Sequence, residues 1–456
     1  MLEDTIIAIS TPPGCGGLGI VRLSGPRALS IARKFFKARG RGGTAIPGNR
    51  PVLGYVNDPQ RKESFEEALL TYFPAPRSYT KENVVEISCH GSPVIMEEVV
   101  RLGVQAGARL ANPGEFTLRA YLNGRLDILQ AEAVNDLIRA ASLKQARISF
   151  RQLEGGLSRK ISLFRKQIVD LLCRIEAGIE FPEENLAVSP DENLEALNRL
   201  IESLARLISS YKAGRTLSEG VTLAITGKTN VGKSTLFNAL LDRDRAIVTP
   251  YPGTTRDYLR EKLVIQDSIF HLVDMAGLGR PSHPVDKEGI RRGQRIAEEA
   301  DGILLVLDAS RRESAEDIAL LKKIQGKNVL VLFNKIDRPA EIRREKLSDL
   351  IRDFPHMNVS ALKKTNLGKL REKIHSLFVP SMERQEDIIL HARQKLLLDQ
   401  TVDFLRRAVS LMREGVSDEI SAEELRKALR PIGELTGEIQ MQDVIDKIFS
   451  RFCVGK

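Results

Sequence analysis

One eight-residue stretch, GKTNVGKS at 227–234, constrains the fold of this chain more than any other feature. It follows the apolar segment VTLAI and precedes TLFNALL, a run with the composition of a helix. A glycine-rich loop between a strand and a helix lets backbone amides approach phosphate groups. Its lysine then reaches the outer phosphates, and its serine is placed to bind Mg²⁺. We therefore predict a P-loop nucleotide-binding fold in which Lys233 and Ser234 have these two roles.

Three later segments indicate which nucleotide the loop binds. DMAG (274–277) and NKID (334–337) each end a predicted strand, and VSAL (359–362) follows them. The Asp337 carboxylate can accept two hydrogen bonds from guanine, whereas adenine offers no matching pair of donors. Because leaving a buried acceptor unpaired costs free energy, the carboxylate selects guanine over adenine. We therefore predict a Ras-like domain that hydrolyses GTP. Its predicted GTP-binding residues within these motifs are Asn230, Val231, Gly232, Lys233, Ser234, Thr235, Asp274, Met275, Ala276, Gly277, Asn334, Lys335, Asp337, Ser360 and Ala361.

The rest of the chain divides into segments of different periodicity. Residues 1–118 hold the strand-like stretches IIAI, GIVRL, ALLTYF and VVEIS between turn signals, which predicts a small mixed α/β domain. Residues 119–218 and 380–456 carry apolar residues at helical spacing. Residues 219–379 alternate strands with helices, the pattern of a parallel sheet. The predicted fold class is α/β and α, with the GTPase domain inserted into one discontinuous helical domain.

Three apolar stripes define the helical segments. Their residues are Leu157, Ile161, Phe164, Ile168, Leu171 and Ile175; Leu197, Leu200, Leu204, Leu207 and Tyr211; and Leu398, Val402, Leu405, Val409 and Met412. FPEEN (181–185) separates the first two helices. Ser421 and Glu424 have the spacing of a capping box, which predicts that the last helix opens at Ser421.

Composition limits the function classes. The chain of 456 residues has 69 basic and 60 acidic residues, and its net charge of +9 favours an anionic partner such as nucleic acid. Well-mixed charges of this size are often only a solvated surface. The longest apolar runs, ILLVL (303–307) and VLVLF (329–333), are far shorter than the roughly 20 residues of a membrane-spanning helix. The four cysteines have no metal-ligand spacing, so we expect a cytoplasmic protein with reduced thiols and no membrane segment.

Six further stretches, spread over nearly the whole chain, carry a family resemblance. They are DTIIAISTPPGCGGLGIVRLSG, SYTKENVVEISCHGSPVI, ANPGEFTLRAYLNGRLDILQAEAVNDLI, GIEFP, GTTRD and FSRFCVGK. Together they resemble the MnmE (TrmE) family of tRNA-modification GTPases. The Era and Der GTPases share only the GTPase core, so the flanking stretches are the specific part of the resemblance.

The resemblance implies metal sites and further nucleotide contacts. K⁺ would be bound by Asn230, Thr249, the backbone of Tyr251 and Thr254, and Mg²⁺ by Thr255 together with Ser234. The GTP-binding set would extend over Thr249, Pro250, Tyr251, Pro252, Gly253, Thr254 and Thr255. A monovalent cation between the phosphates can replace an arginine finger, a role worth roughly 10³–10⁵ in rate.

Two motifs depart from the family pattern. Lys228 and Thr229 stand where the family commonly has arginine and proline. The family's catalytic glutamate corresponds to Asp286, which is one methylene shorter and is our candidate catalytic residue. Glu288 is the alternative, and both side chains are surface charges if neither acts.

The resemblance also implies a folate site in the N-terminal domain. A 5-formyl-tetrahydrofolate-type cofactor would be bound by Arg22, Glu86, Arg125 and Lys456, because cationic side chains pair its carboxylate and a carboxylate accepts from its pterin ring. Cys453 would lie at this pocket as nucleophile or general acid if nearby cations lower its pKa. The alternative is a small residue that packs behind Phe452. Packing is also expected for the remaining cysteines, Cys15, Cys89 and Cys173.

The resemblance implies partners as well. These are a second copy of the chain, joined through the N-terminal domain, an FAD-dependent protein of the MnmG (GidA) type in a heterotetramer or larger complex, and tRNA. The two proteins would add an aminomethyl or carboxymethylaminomethyl group to carbon 5 of the wobble uridine, with a one-carbon unit from a tetrahydrofolate. The sequence leaves two alternative functions. One is a ribosome-assembly GTPase whose product is a conformational state, and the other is a folate-responsive switch without catalytic activity.

Overall fold

The computed structural model describes residues 3–39, 46–180, 190–241, 260–274, 300–379, 388–439, 445, 448–450 and 452–455. These form two compact units. Unit 1 comprises residues 1–138, 149–202 and 397–456, and unit 2 comprises residues 139–148 and 203–396. The predicted domain boundaries stay a prediction.

The described residues form thirteen strands and fourteen α-helices. The strands are β1 Ile6–Ile9, β2 Gly16–Ser24, β3 Phe36–Ala38, β4 Pro51–Asp58, β5 Glu63–Phe73, β6 Val84–Gly91, β7 Arg109–Leu110, β8 Val221–Thr226, β9 Arg260–Ile265, β10 Ser268–Asp274, β11 Gly302–Asp308, β12 Val329–Asn334 and β13 His356–Asn358. The helices are α1 Ala28–Ala32, α2 Pro93–Gln105, α3 Glu115–Leu122, α4 Ile128–Arg139, α5 Leu143–Leu153, α6 Gly156–Glu180, α7 Pro190–Ser209, α8 Tyr211–Glu219, α9 Lys233–Leu241, α10 Ala315–Lys323, α11 Ser348–Ile351, α12 Leu367–Phe378, α13 Ala392–Arg413 and α14 Asp418–Thr436. None of these helices is long and apolar enough to cross a bilayer.

Unit 1 contains a seven-stranded sheet in the order β3-β4-β5-β6-β2-β1-β7. The pairs are antiparallel except β1–β7, which is parallel. Alternate strand residues such as Val21, Leu70 and Ile87 form a core with Ile31 of α1 and Val99 of α2. The mixed α/β arrangement and the four strands predicted for this part are confirmed.

In the helical part of unit 1, α6 packs against α14. The first predicted stripe is confirmed, since all six of its residues lie in α6 and are buried. The predicted capping box at Ser421 is wrong. α14 begins at Asp418 after Ser417, and Ser421 is fully buried inside it. Asp418 and Glu419 in the first turn favour the earlier start because their negative charges lie at the positive end of the helix.

Unit 2 contains a six-stranded sheet in the order β13-β12-β11-β8-β10-β9. The pairs are parallel except β9–β10. Successive residues of β11 enter cores on opposite faces of the sheet, which makes β11 and β12 continuous buried runs as predicted. The second predicted stripe is interrupted, because α7 ends at Ser209 and Tyr211 begins α8. Parallel strands β8, β10, β11 and β12 bring their carboxyl ends to one edge, where open α/β sheets bind ligands.

Candidate functional site

The predicted phosphate loop connects β8 to α9 at the carboxyl edge of the unit 2 sheet. Gly227 and Gly232 have φ angles of 146° and 98°, in the region that favours glycine. A Cβ on Gly227 would overlap with the carbonyl oxygen of Val306, and one on Gly232 with the side-chain amide of Asn334. The backbone of Asn230 is also left-handed, with φ 62°. The loop conformation therefore requires the glycines of the sequence motif.

Lys233 begins α9, and its side chain folds back over the loop. Its ammonium donates to the carbonyl oxygen of Gly227 at 2.8 Å and to that of Lys228. Lys233 is buried, whereas Ser234 and Thr235 are exposed in the first turn of the helix. The positive charge and the Ser234 hydroxyl therefore lie at a helix N-terminus, an arrangement that suits phosphate and its metal ion.

Asn334 joins the three sequence motifs into one structure. Its side-chain amide donates to the Val231 carbonyl at 2.8 Å and accepts from the Ala361 amide at 3.0 Å. The side chain is buried and its residue ends β12. The phosphate loop, NKID and VSAL are therefore linked through the side-chain amide of one residue.

The residues predicted to read the base lie beside this junction. Ser360 is fully buried, and its hydroxyl donates to the Asp337 carboxylate at 2.5 Å. This hydrogen bond holds the pKa of Asp337 below its ordinary value. The carboxylate is therefore ionised at neutral pH, which is the form that accepts hydrogen bonds from a base.

These groups surround a cleft of about 790 Å³. A volume of this size lies within the usual range for small-molecule sites. The cleft is lined by Thr226, Gly227, Lys228, Thr229, Asn230, Gly232, Lys233, Ser234, Thr235, Glu316, Asn334, Lys335, Asp337, Arg338, Ala361 and Leu362. Of the predicted GTP-binding residues whose side chains the structure describes, nine line this cleft, whereas Val231 and Ser360 are not among its lining residues.

Replacing Gly232 by alanine is expected to weaken GDP binding at least tenfold. The added Cβ strains a backbone at φ 98° and pushes on the Asn334 amide that links the motifs. Fluorescent GDP titration measures the effect. Gly368→Ala is the matched control, because a Cβ there, in α12, meets nothing within 4 Å. Equal affinity in both variants would contradict the expectation.

A second constellation lies on the unit 1 sheet. Arg22 of β2 and Glu86 of β6 are register partners, and the guanidinium donates to the carboxylate at 2.9 and 2.7 Å. The Arg22 guanidinium carbon lies 5.6 Å from the ring centroids of both Tyr79 and Phe116. Arg22 and Glu86 therefore form an ion pair whose guanidinium lies near two aromatic rings.

Tyr79 connects this pair to Arg125. The Arg125 guanidinium lies 4.8 Å above the Tyr79 ring and donates to the Ser78 carbonyl at 3.3 Å. Burial raises the pKa of Tyr79, whose hydroxyl is hydrogen-bonded to Thr117 at 2.9 Å. Two predicted folate residues, Arg22 and Arg125, thus lie against the half-buried Tyr79 ring, and a third, Glu86, is paired with Arg22. The fourth, Lys456, lies outside the described residues.

Residues 452–455 pack against the first strand of unit 1. The Ser10 hydroxyl donates to the Gly455 carbonyl at 3.1 Å, and the Gly114 amide donates to the Cys453 carbonyl at 3.4 Å. Gly455 has φ 94°, and a Cβ there would overlap with the carbonyl of Ile9. The segment therefore lies beside β1, which pairs with the Arg22 strand.

The four cysteines differ in their surroundings. Cys453 and Cys15 are exposed, as is Cys173, whereas Cys89 is buried. The expectation of packing roles is therefore wrong for Cys15 and Cys173, which lie on outward-facing positions of the chain. Burial raises the pKa of Cys89 to about 11, which keeps its thiol protonated.

Several predicted site residues lie outside the described residues. These are the candidate catalytic Asp286 and its alternative Glu288, the segment Thr249 to Thr255, and Met275, Ala276 and Gly277. The backbone of Asp274 is described and ends β10. The roles given to these residues stay predictions.

Sequence reasoning missed two residues of these sites. Tyr79 lies in the quoted stretch SYTKEN, but nothing in the sequence shows that its ring lies against Arg22. Asp308 ends β11 and binds the Lys335 ammonium at 2.7 Å. Its place at the carboxyl end of a predicted parallel strand was the available signal.

Comparison with known proteins covers both sites. A family model described as GTP-binding protein TrmE N-terminus matches residues 5–125, and one described as MnmE helical domain matches residues 128–453. The tRNA modification GTPase MnmE of Thermoanaerobacter sp. (strain X514) is 40% identical over 460 residues, 100% of both chains. The protein of that name from Syntrophotalea carbinolica is 41% identical, over 100% of this chain and 99% of the relative.

This chain belongs to the MnmE family. The predicted family is confirmed by matches that extend over the flanking parts as well as the GTPase core. The MnmE-family match to the N-terminal region includes Arg22, Glu86 and Arg125, and the second match includes the phosphate loop and Cys453. Among solved structures, a variant of Aquifex aeolicus Era bound to GDP and AlF4⁻ is 29% identical, covering 40% of this chain and 66% of that chain, with a TM-score of 0.27.

Proposed function

We propose that this chain is a K⁺-dependent GTPase that modifies the wobble uridine of certain tRNAs. It would work as a homodimer with an FAD-dependent partner of the MnmG (GidA) type, and together they would add an aminomethyl or carboxymethylaminomethyl group to carbon 5. The observation that carries the proposal is the pair of sites in a chain that matches its MnmE relative over the whole length of that relative. The proposed location is the cytoplasm, where tRNA is modified.

The GTP part of the proposal is supported by the cleft in unit 2. Phosphates would lie against the loop amides and the Lys233 ammonium, and the base would lie against Asp337. Asn334 holds these two regions in register through its bonds to Val231 and Ala361. A preorganised site of this kind stabilises charge that develops on the transferred phosphoryl group. Ser234, exposed at the start of α9, suits the hard Mg²⁺ ion.

The potassium part of the proposal rests on Asn230. Its side chain is exposed at the edge of the cleft, and its backbone is left-handed. Its backbone carbonyl oxygen accepts a hydrogen bond from the Lys335 ammonium at 2.6 Å. The side-chain amide oxygen is thus the ligand that Asn230 would offer to K⁺. A bound K⁺ would supply positive charge next to the phosphates. It would also bring two GTPase domains together across the dimer.

The potassium role predicts a cation-specific rate. At equal ionic strength, GTP hydrolysis is expected to be at least tenfold faster in K⁺ than in Na⁺. Asn230→Gly is expected to reduce the K⁺ rate towards the Na⁺ rate, because glycine keeps the left-handed backbone but removes the ligand. Gln266→Gly, at an exposed left-handed position in the turn between β9 and β10 that does not line the cleft, is the control. Equal wild-type rates in the two cations would reject the role.

The folate part of the proposal rests on the Arg22–Glu86 pair. A guanidinium, a carboxylate and aromatic rings fit a ligand with a flat pterin ring and a carboxylate tail. A bound tetrahydrofolate would supply the one-carbon unit. The chain's own contribution would be to bind and orient it, with Cys453 nearby on the segment that packs against β1.

The folate site predicts selective loss of binding. Equilibrium dialysis of the full-length chain against 5-formyl-tetrahydrofolate is expected to show binding that Glu86→Gln weakens at least tenfold. The substitution removes the charge that a pterin donor and Arg22 both require. Glu67→Gln, on exposed Glu67 of β5, is the matched control. No binding to the wild-type chain would argue for a ribosome-assembly role instead.

Nucleoside mass spectrometry of bulk tRNA tests the proposed function as a whole. Deletion of the gene is expected to abolish the modified wobble uridines, and the intact gene is expected to restore them. Complementation with Cys453→Ser then separates chemistry from packing at this exposed thiol. Restoration by the serine variant would make the thiol dispensable. Unchanged uridines on deletion would reject the tRNA assignment.

A further inference from the structure

Asp308 is a buried carboxylate behind the nucleotide cleft. It ends β11 and is the register partner of Asn334 at the end of β12. Its side chain is 8% exposed. One carboxylate oxygen accepts from the Ser310 amide at 3.0 Å and from the Ser310 hydroxyl at 2.7 Å. The other accepts from the Lys335 ammonium at 2.7 Å.

Lys335 carries this contact to the phosphate loop. Its ammonium also donates to the carbonyl oxygen of Asn230 at 2.6 Å. Both Lys335 and Asn230 have left-handed backbones, with φ angles of 66° and 62°. A single ammonium thus fixes the distance between two unusual backbone positions, one in the base-reading segment and one in the phosphate loop. Asp308 is the charged group that holds this ammonium.

Asp308 itself does not line the cleft, whereas Lys335 and Asn230 do. We infer that Asp308 is a positioning residue for guanine-nucleotide binding, which acts through Lys335 to hold the base-reading segment against the carbonyl of Asn230. The inference rests on the proposed function, because it assigns the cleft to a guanine nucleotide. Neither the sequence motifs nor the family resemblance gives Asp308 a role.

The physical basis is the flexibility of lysine. Its four-carbon stem has many rotamers, and an ammonium without a fixed partner is strongly hydrated. A buried carboxylate selects one rotamer because a charge-assisted hydrogen bond is stronger and shorter than a neutral one. The cost of ordering Lys335 is then met during folding and not during nucleotide binding, which is the advantage of a preorganised site.

A competing explanation is that Asp308 only stabilises the turn through Ser310. The two explanations differ in how substitutions combine. If Asp308 acts through Lys335, removing Lys335 first makes the loss of Asp308 irrelevant for nucleotide affinity. If it acts on the turn alone, the two losses are independent and their free energies add.

The test is a double-mutant cycle on the full-length chain, read as affinity for fluorescent GDP. Asp308→Asn is expected to weaken binding about tenfold, which corresponds to about 1.4 kcal/mol. Lys335→Met is expected to weaken it by at least as much, and the double variant is expected to match Lys335→Met within twofold. Asp349→Asn, at an exposed position in α11 of the same unit, is expected to bind like the wild type.

Each outcome has a defined meaning. Unchanged affinity of Asp308→Asn, or losses that multiply in the double variant, would overturn the inference. If Asp308→Asn does not fold, Ser310→Ala replaces it, since this change removes one donor to the carboxylate. A two- to threefold loss that vanishes in the Lys335→Met background is then expected, and an undiminished loss there would overturn the inference. Failure of the wild-type chain to bind GDP would instead reject the proposed function.

Discussion

Replacing Asp337 by asparagine is expected to weaken GDP binding by a hundredfold or more and to improve binding of the xanthine nucleotide XDP. The carboxylate accepts from two donors on guanine, and hydrogen bonds to a charged group contribute about 1.5–3 kcal/mol each. Asparagine replaces one acceptor oxygen by a donor that faces the guanine amino group, and it leaves the other acceptor uncharged. Because about 1.4 kcal/mol is a factor of ten, these two losses reach the hundredfold range. Xanthine carries a carbonyl where guanine carries the amino group, and the asparagine amide can donate to it.

Displacement of bound fluorescent GDP by GDP or by XDP, or direct titration of each nucleotide, measures this change in preference. Ser360→Ala provides a graded comparison, because it removes the hydroxyl that orients the Asp337 carboxylate and leaves the carboxylate in place. We expect a smaller loss for GDP with no gain for XDP. Asp353→Asn, at an exposed position in the same unit, controls for the change in charge. An unaltered preference for GDP in Asp337→Asn would show that another group reads the base.

The site illustrates how much a single sequence predicts. The phosphate loop was predictable because its chemistry depends on adjacent residues, in which glycine backbone freedom and a following helix occur together. The role of Asp308 was not predictable, because its partner Lys335 comes close to it only when β11 pairs with β12. Tyr79 was missed for the same reason, since its ring contacts Arg22 of a distant strand.

The fold shows the same limit. Strands β11 and β12 were predicted because a run of apolar residues in an α/β chain has one economical interpretation, burial on both faces. The break at Ser210 was missed because the apolar spacing continues through it to Tyr211. Ser210 is buried, and its hydroxyl accepts from the Ile389 amide, a contact between distant segments of unit 2. Hydrophobic periodicity reports which face is buried and does not report where a helix ends.

A buried ion cluster in unit 1 gives the second large expectation. The Arg119 side chain is 1% exposed and pairs with three carboxylates, those of Asp4 at 2.8 Å, Glu115 at 2.9 Å and Glu82 at 3.2 Å. Arg109 pairs with Asp4 at 2.7 Å and Glu115 at 2.6 Å, but its side chain is 45% exposed. The cluster thus contains one buried and one exposed guanidinium with shared partners.

Replacing Arg119 by methionine is expected to lower the free energy of unfolding by about 3–5 kcal/mol, because it removes the guanidinium partner of the largely buried Glu82 carboxylate and leaves buried Glu115 with only the exposed Arg109. Arg109→Met, the matched control, is expected to cost only about 1 kcal/mol, since exposed ion pairs are weak. Urea unfolding followed by circular dichroism measures both values. Similar costs for the two variants would contradict the assignment of the buried guanidinium as the main counter-charge.

The pH dependence provides an independent check on this cluster. Burial disfavours the ionised form of Glu115, but hydrogen bonds from Arg109, the Asn112 amide and Arg119 outweigh it and hold the pKa of Glu115 below its ordinary value. The pKa of Asp4 is lowered in the same way, with burial opposed by Arg109 and Arg119. A lowered folded-state pKa contributes stability that is complete above the unfolded-state value and is lost as pH falls through the folded-state value. The free-energy difference between wild type and Arg119→Met should therefore be largest near neutral pH and shrink below about pH 4, where the unfolded carboxylates become protonated. A difference that stays constant across this pH range would mean that Arg119 stabilises unit 1 through packing of its stem and not through its charge.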